Sequence, residues 1–126
     1  MTPHTILLAE DDRFLRRAAE VTLRQRGFNV LLAADGQEAL DMARKHLPDL
    51  LLLDLLMPRK TGIEVLAALR AEPGTRDLRV LILSNSSKEL EMKSARSLGV
   101  AGYWIKANLS LKELGDRVTA LLESTP

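Results

Sequence analysis

Polar residues that could bind a metal or transfer a phosphoryl group follow four short apolar runs of this 126-residue chain. Glu10 and Asp11 follow the first run, Asp54 the third, Ser84 the fourth and Lys106 the fifth. Neighbouring carboxylates repel by about 4 kcal/mol per pair at 4 Å in a surface-like dielectric, and a divalent cation removes that penalty. Oxygen ligands without His or Cys favour Mg²⁺, or Mn²⁺, over zinc. With a lysine and a hydroxyl nearby, such carboxylates suit phosphoryl transfer, in which a carboxylate can be the nucleophile.

Each of these residues alone has an ordinary structural explanation. The acids at 10 and 11 could favour the start of a helix, and Asp54 could sit in a turn before Pro58. Ser84 could be a turn hydroxyl, and Lys106 a solvated surface lysine. Ligands of open α/β sheets bind beyond the carboxyl ends of the strands, so the combination predicts one site at that edge.

Five apolar runs of strand length alternate with five segments of helical periodicity. Strands are predicted at Thr5–Ala9, Phe28–Ala33, Leu50–Leu53, Leu78–Leu83 and Tyr103–Ile105. Helices are predicted at Arg13–Arg26 and at about residues 36–47, 62–72, 87–98 and 111–122. Strict alternation predicts an α/β fold, a doubly wound five-stranded parallel sheet with helices on both faces.

Local signals set the predicted element ends. Gly27 is placed to end the first helix, as a glycine after a helix does. The pattern of a capping oxygen followed three residues later by Glu predicts helix starts at Asp35, Thr61, Ser86 and Ser110. Leu50–Leu53 has strand length, because Pro48 and Pro58 leave too little room for a stable helix.

Composition narrows the class of protein. The apolar fraction of 46% is enough for a core, and the net charge of +1 gives no electrostatic case for binding nucleic acid or an acidic membrane. The chain has no cysteine and no apolar run long enough for a signal peptide or a membrane span. We expect one cytoplasmic domain over residues 1–126, with no output domain attached.

Along essentially its whole length the chain resembles a response-regulator receiver domain of two-component signalling, similar to the chemotaxis regulator. The resemblance rests on Ile6–Asp12, on Leu81–Ser84, on Gly102–Lys106 and, most specifically, on the pattern Asp-x-x-Met-Pro-x-x-x-Gly at residues 54–62. It implies a flavodoxin-like strand order 2-1-3-4-5 and a Mg²⁺-dependent phosphoacceptor that is not itself an enzyme.

The resemblance also implies residue roles. Asp54 would be the phosphoacceptor, and Asp11 a direct Mg²⁺ ligand with Glu10 supporting the metal and its waters. The backbone carbonyl of Leu56 would be a further ligand. Two other residues would complete the catalytic set: Lys106 would pair with Asp54 and then with the phosphoryl group, which Ser84 would hydrogen-bond. Tyr103 would be an aromatic switch that turns inward with Ser84, although a half-buried strand aromatic is an equally good interpretation.

Three residues depart from the family pattern. Asn85 stands where a small residue usually follows the switch hydroxyl, and it could narrow access to the site or add a hydrogen bond. Ala107 replaces the proline that usually follows the lysine, often with a cis bond. A cis bond before a non-proline costs about 2.5–4 kcal/mol, so a trans bond and a different loop are predicted. Trp104 is expected to pack over the last helix, or else to form an exposed partner contact.

The resemblance implies phosphorylation by a sensor histidine kinase or a histidine phosphotransfer protein. Phosphorylation would change the binding of a downstream protein through the face formed by the fourth helix, fifth strand and fifth helix. A homodimer is left open. The main alternative is a degenerate receiver that binds a partner without phosphorylation. An aspartyl-phosphate phosphatase of the haloacid-dehalogenase kind fits less well, because the nucleophile follows strand three. A flavodoxin-like flavin carrier also fits less well, because no phosphate-binding loop follows the first strand of this chain.

Overall fold

The computed structural model describes residues 3–123, which form five β-α units in strict alternation. The strands are β1 Thr5–Ala9, β2 Asn29–Ala33, β3 Leu50–Leu53, β4 Val80–Ser84 and β5 Gly102–Ile105. The helices are α1 Arg13–Gln25, α2 Gly36–His46, α3 Gly62–Ala71, α4 Glu89–Leu98 and α5 Leu111–Glu123, with a 3₁₀ turn at Lys106–Asn108. Among residues 3–123, no helix is both long and apolar enough to cross a bilayer.

All five strands are parallel and lie in the order β2-β1-β3-β4-β5, which confirms the predicted fold class. Alternate residues of the three central strands face opposite layers. One face packs against α2, α3 and α4 through a core that includes Leu51, Leu53 and Ile82. The other packs against α1 and α5 through residues such as Leu50 and Leu52. Because β3 is buried on both faces, it is an uninterrupted leucine run, as expected for a central parallel strand.

Most predicted helix ends are confirmed. The C-cap residue of α1 is Arg26, followed by Gly27 in the left-handed region with φ of 91°. Asp35 caps α2 by accepting a hydrogen bond from the Glu38 N–H, at 2.8 Å. Reciprocal capping boxes start α3 at Thr61 and α5 at Ser110.

The predicted Ser86 cap of α4 is wrong. The residue before this helix is Lys88, which provides no side-chain cap. Ser86 is instead buried between elements, where its hydroxyl donates to the carboxylate of Glu91 and its carbonyl accepts from Tyr103. Ser86 therefore bonds to Glu91 in the first turn of α4 and to Tyr103 of β5, instead of forming the capping bond that the pattern predicted.

β4 also begins two residues later than predicted, at Val80 rather than Leu78. Its pairing with β3 starts where Val80 faces Leu51. The segment before it is a turn in which the Leu78 N–H donates to the carbonyl of Thr75. The apolar pattern reaches back to Leu78, but the pairing with β3 begins only at Val80.

Candidate functional site

The register of the sheet brings the predicted site residues to one edge. Ala9 of β1 pairs with Leu53 of β3, so the next residues, Glu10 and Asp54, leave the sheet side by side. Ser84 ends β4 and pairs with Ile105 of β5, so Lys106 emerges beside them. The predicted convergence of these strand ends is confirmed.

The ammonium group of Lys106 joins two buried carboxylates. Its Nζ lies 2.8 Å from Oδ2 of Asp54 and also contacts Oε1 of Glu10. Asp54 is only 6% exposed and Glu10 only 3%, so their attraction to the ammonium is weakly screened by solvent. The Asp12 N–H donates to Oε2 of Glu10 at 3.0 Å, and the Leu56 N–H lies 3.3 Å from Oδ1 of Asp54.

These contacts shift the titration of the charged groups. Burial raises the pKa of Glu10, and the hydrogen bond from Lys106 only partly offsets that rise. Burial lowers the pKa of Lys106, but its hydrogen bonds to Asp54 and Glu10 outweigh burial, so the pKa lies above the usual lysine value. The lysine therefore stays charged between the two acids over the physiological pH range.

Three carboxylates lie close enough to share a cation. Glu10, Asp11 and Asp54 each offer a carboxylate oxygen, and these oxygens lie within 4.8 Å of one another. Asp11 is exposed while the other two are buried, so an ion could enter from the solvent side. An all-oxygen set suits Mg²⁺ or Mn²⁺, so these residues fit such an ion. Leu56 lines the same cavity, and its carbonyl stays a predicted ligand.

The site is an open cavity of about 360 Å³. Its walls include Asp11, Asp54, Ser84, Asn85 and Lys106. Ser84 is fully buried at the base, where its Oγ accepts a hydrogen bond from the Ser86 N–H at 3.3 Å. A cavity of this size, open to solvent and lined by charged groups, can admit a phosphoryl group.

Tyr103 is a half-buried strand aromatic on the α4 side of the sheet. Its hydroxyl donates to the carbonyl of Ser86 at 2.8 Å, and burial raises its pKa. Ser86 thus links Ser84 to Tyr103 through its N–H and its carbonyl. The half-buried placement agrees with one of the two predicted interpretations, and the switch role remains a prediction.

The three departures from the family pattern have clear structures. No cis peptide bond occurs among the described residues, so the predicted trans bond before Ala107 is confirmed, and a 3₁₀ turn follows β5. The Ala107 N–H donates to Oδ1 of Asn85 at 3.0 Å. The ring of Trp104 packs on the α5 side, with the guanidinium of Arg117 5.4 Å from its centroid, which confirms the predicted packing over the last helix.

Two structural contributors were not identified from the sequence. Arg16 donates to the backbone carbonyls of Glu10 and Asp11, at 2.8 and 3.4 Å, and so holds the acidic loop after β1. Arg16 lies one helical turn after the N-cap Asp12, and side chains of a helix lean towards its N-terminus, so this spacing was the available signal. The second is Ser86, whose local pattern predicts a helix cap and does not indicate its link between Ser84 and Tyr103.

Steric crowding explains why α3 begins with a glycine, Gly62. Its N–H donates to the Leu55 carbonyl at 2.9 Å, and a Cβ there would lie 2.4 Å from the backbone oxygen of Asp54. Only a residue without a side chain lets this loop close against the strand end. The loop packing therefore supports the backbone that carries Asp54.

Comparison with known proteins agrees with this geometry. A family model described as the response regulator receiver domain matches residues 6–119. The transcriptional regulatory protein CpxR of Escherichia coli K12 is 40% identical over 117 residues, which cover 93% of this chain and 48% of CpxR. The chain thus spans about half the length of the curated relatives it matches.

Solved structures show the same fold. A response regulator from Chloroflexus aurantiacus is 33% identical, with a TM-score of 0.85 and coverage of 97% of this chain and 99% of that one. The Mn²⁺-bound form of the response regulator Rcp1 is 26% identical, with a TM-score of 0.87 and coverage of 98% of each chain. The chain belongs to the receiver domain family of two-component response regulators.

Proposed function

We propose that this domain accepts a phosphoryl group on Asp54 from a phosphohistidine of a sensor kinase or a histidine phosphotransfer protein, with Mg²⁺ bound. The observation that carries the proposal is the pairing of Asp54 with the Lys106 ammonium at 2.8 Å, within the cluster of three carboxylates. Membership in the receiver family supports the same role.

Asp11, Asp54 and the carbonyl of Leu56 would hold the metal, with Glu10 supporting its waters. When bound, Mg²⁺ would neutralise charge on the carboxylates and on the phosphoryl oxygens. Mn²⁺ would fit the same oxygen ligands, and the response regulator Rcp1 has been solved in a Mn²⁺-bound form.

In the transfer step, a carboxylate oxygen of Asp54 attacks the phosphorus atom. A P–O bond forms, the P–N bond of the phosphohistidine breaks, and its electron pair returns to the imidazole nitrogen. Lys106 keeps the carboxylate in place before transfer and then neutralises a phosphoryl oxygen. Ser84, which is buried at the base of the cavity, offers its hydroxyl to another oxygen of the phosphoryl group.

The output would be altered binding of a downstream protein at the face formed by α4, β5 and α5. Phosphorylation adds charge and acceptor oxygens that Ser84 and Lys106 would gather. The hydrogen bonds from Ser84 through Ser86 to Tyr103 offer a route from the cavity to that face. A homodimer over this face is one form that the output could take.

A degenerate receiver that binds a partner without phosphorylation is the second candidate. Asn85 is the residue that raises this alternative, because a polar side chain at the cavity wall could narrow access to Asp54. The complete set of acids and the lysine favours phosphorylation, since a pure docking domain needs none of them.

Phosphoryl labelling decides between the two. The domain is incubated with labelled acetyl phosphate or a phosphorylated histidine kinase in two parallel reactions, one with Mg²⁺ and one with a chelator. We expect acid-stable, base-labile label in the wild type with Mg²⁺ only, none in Asp54→Ala, and normal labelling of Asp77→Ala, an exposed aspartate outside the cavity. Label that persists in Asp54→Ala would refute the assignment.

We also propose that residues 1–126 act as one receiver unit in the cytoplasm that contacts proteins rather than nucleic acid. The described residues 3–123 form one sheet with two cores, which supports a single unit. Residues 1–2 and 124–126 lie outside the described part. Limited proteolysis followed by labelling tests whether the chain is a single unit, because such a unit should stay uncleaved and accept the label.

A further inference from the structure

A side-chain hydrogen bond joins the two loops that border the cavity. Asn85 directly follows Ser84, and Ala107 directly follows Lys106. The Ala107 N–H donates to Oδ1 of Asn85 at 3.0 Å, across 22 residues of sequence. This bond therefore fixes the Asn85 side chain relative to the residues that flank the cavity.

The bond also fixes which way the Asn85 amide points. An asparagine side chain has one acceptor, Oδ1, and one donor group, the Nδ2 amine. A backbone N–H can only donate, so the reversed amide would place two donors together at Ala107. Nδ2 must then face away from Ala107, and within residues 3–123 it donates to no protein acceptor. Asn85 lines the same cavity as Asp54 and Lys106.

A phosphoryl group on Asp54 would bring acceptor oxygens into this cavity. It has three strong acceptor oxygens and close to two negative charges, and each oxygen can accept more than one hydrogen bond, so acceptor capacity remains beside Lys106, Ser84 and the metal. We propose that the Asn85 amide donates a hydrogen bond to the phosphoryl group on Asp54, and that the Ala107 N–H holds the amide in that orientation. The proposal rests on the phosphoacceptor role of Asp54, and it makes Asn85 a further binding residue of that reaction.

Beryllofluoride, a stable phosphoryl analogue that binds aspartate carboxylates, tests this without turnover. Its affinity for the whole chain with Mg²⁺ is measured by fluorine NMR for the wild type, Asn85→Ala and Asn108→Ala. We expect about tenfold weaker binding in Asn85→Ala, the effect of one charge-assisted hydrogen bond, and no change in Asn108→Ala. Asn108 is the matched control, an exposed asparagine of the 3₁₀ turn that does not line the cavity.

A second readout follows the amide itself. In ¹⁵N-labelled wild type, beryllofluoride should move the Asn85 side-chain N–H signals downfield and slow their exchange, and leave those of Asn108 unchanged. Unchanged affinity in Asn85→Ala, or an Asn85 amide that does not respond, would overturn the proposal. Wild type that binds no beryllofluoride, or binds it equally after Asp54→Ala, would instead overturn the phosphoacceptor role and this inference with it. Because Asn85 is exposed, both variants should fold, which their unfolding curves check.

Discussion

Replacing Lys106 by alanine should destabilise the metal-free domain by about 3 kcal/mol, because it leaves two buried carboxylates facing each other. The 2.8 Å contact between Nζ and Asp54 corresponds to an attraction of about 6 kcal/mol at an effective dielectric of 20. The cost of burying the charges offsets part of this attraction. Removing one partner of such a group typically costs about 3–5 kcal/mol, and the lower end applies here because Lys106 is 13% exposed.

Urea unfolding at pH 7 with a chelator measures this loss. The domain should stay folded, since domains of this size have about 5–15 kcal/mol of stability. The matched control is Lys112→Ala, whose lysine is 83% exposed and pairs with Asp116 on α5, and which should cost less than about 1 kcal/mol. Mg²⁺ should restore more stability to Lys106→Ala than to the wild type, since an ion would neutralise the same acids.

The reasoning depends on charge, so neutral carboxylate mimics provide the refuting result. In a background of Glu10→Gln with Asp54→Asn, removing Lys106 should cost at least 1 kcal/mol less than in the wild type, because no buried anion is left unpaired. An equal loss in both backgrounds would show that Lys106 acts through packing of its hydrocarbon chain, and the electrostatic account of the site would be wrong.

Three further predictions concern the scaffold. Gly62→Ala should cost about 2 kcal/mol in urea unfolding, because its Cβ would lie 2.4 Å from the Asp54 backbone oxygen, and a loss under 0.5 kcal/mol would show that the loop yields easily. Leu47→Gly should raise the stability by about 1 kcal/mol, because Leu47 is mostly exposed in the left-handed region with φ of 46°; a lower melting temperature would contradict this. Glu20 accepts hydrogen bonds from two arginines of α1, which lower its pKa below the ordinary value for a glutamate. Its stabilisation is therefore present above the unfolded-state pKa and is lost as the pH falls through the lower folded pKa. Glu20→Gln should lower the free energy of unfolding by about 1 kcal/mol at pH 7 and by progressively less below pH 4. An equal loss at neutral and at acidic pH would exclude an ionic origin.

The sequence alone was enough to predict the architecture and most of the site. Strict alternation of short apolar runs with helical segments leaves few ways to bury every apolar face except a doubly wound parallel sheet. That topology in turn brings the ends of all strands to one edge, so the meeting of Asp54 with Lys106 followed from their positions after β3 and β5. These features depend on the periodicity of apolar residues and on which polar residue follows each strand, and both are visible in the sequence.

Contacts between loops could not be predicted in the same way. The bond from Ala107 to Asn85 and the bond from Tyr103 to Ser86 join residues that are 22 and 17 positions apart, so they depend on distances that only the folded chain sets. The Ser86 cap failed for this reason, because a capping pattern describes four neighbouring residues and takes no account of Tyr103 and Glu91.

The difference between what the sequence predicted and what it did not follows from the range of the interactions involved. Hydrophobic periodicity and helix capping act over a few residues, so they determined which segments became strands and helices and which polar groups followed them. Hydrogen bonds require a donor and an acceptor within about 3 Å, and only the packed sheet and helices bring separate loops that close. The tertiary structure therefore decided how the Lys106 ammonium, the Asn85 amide and the Ser86 hydroxyl are aimed.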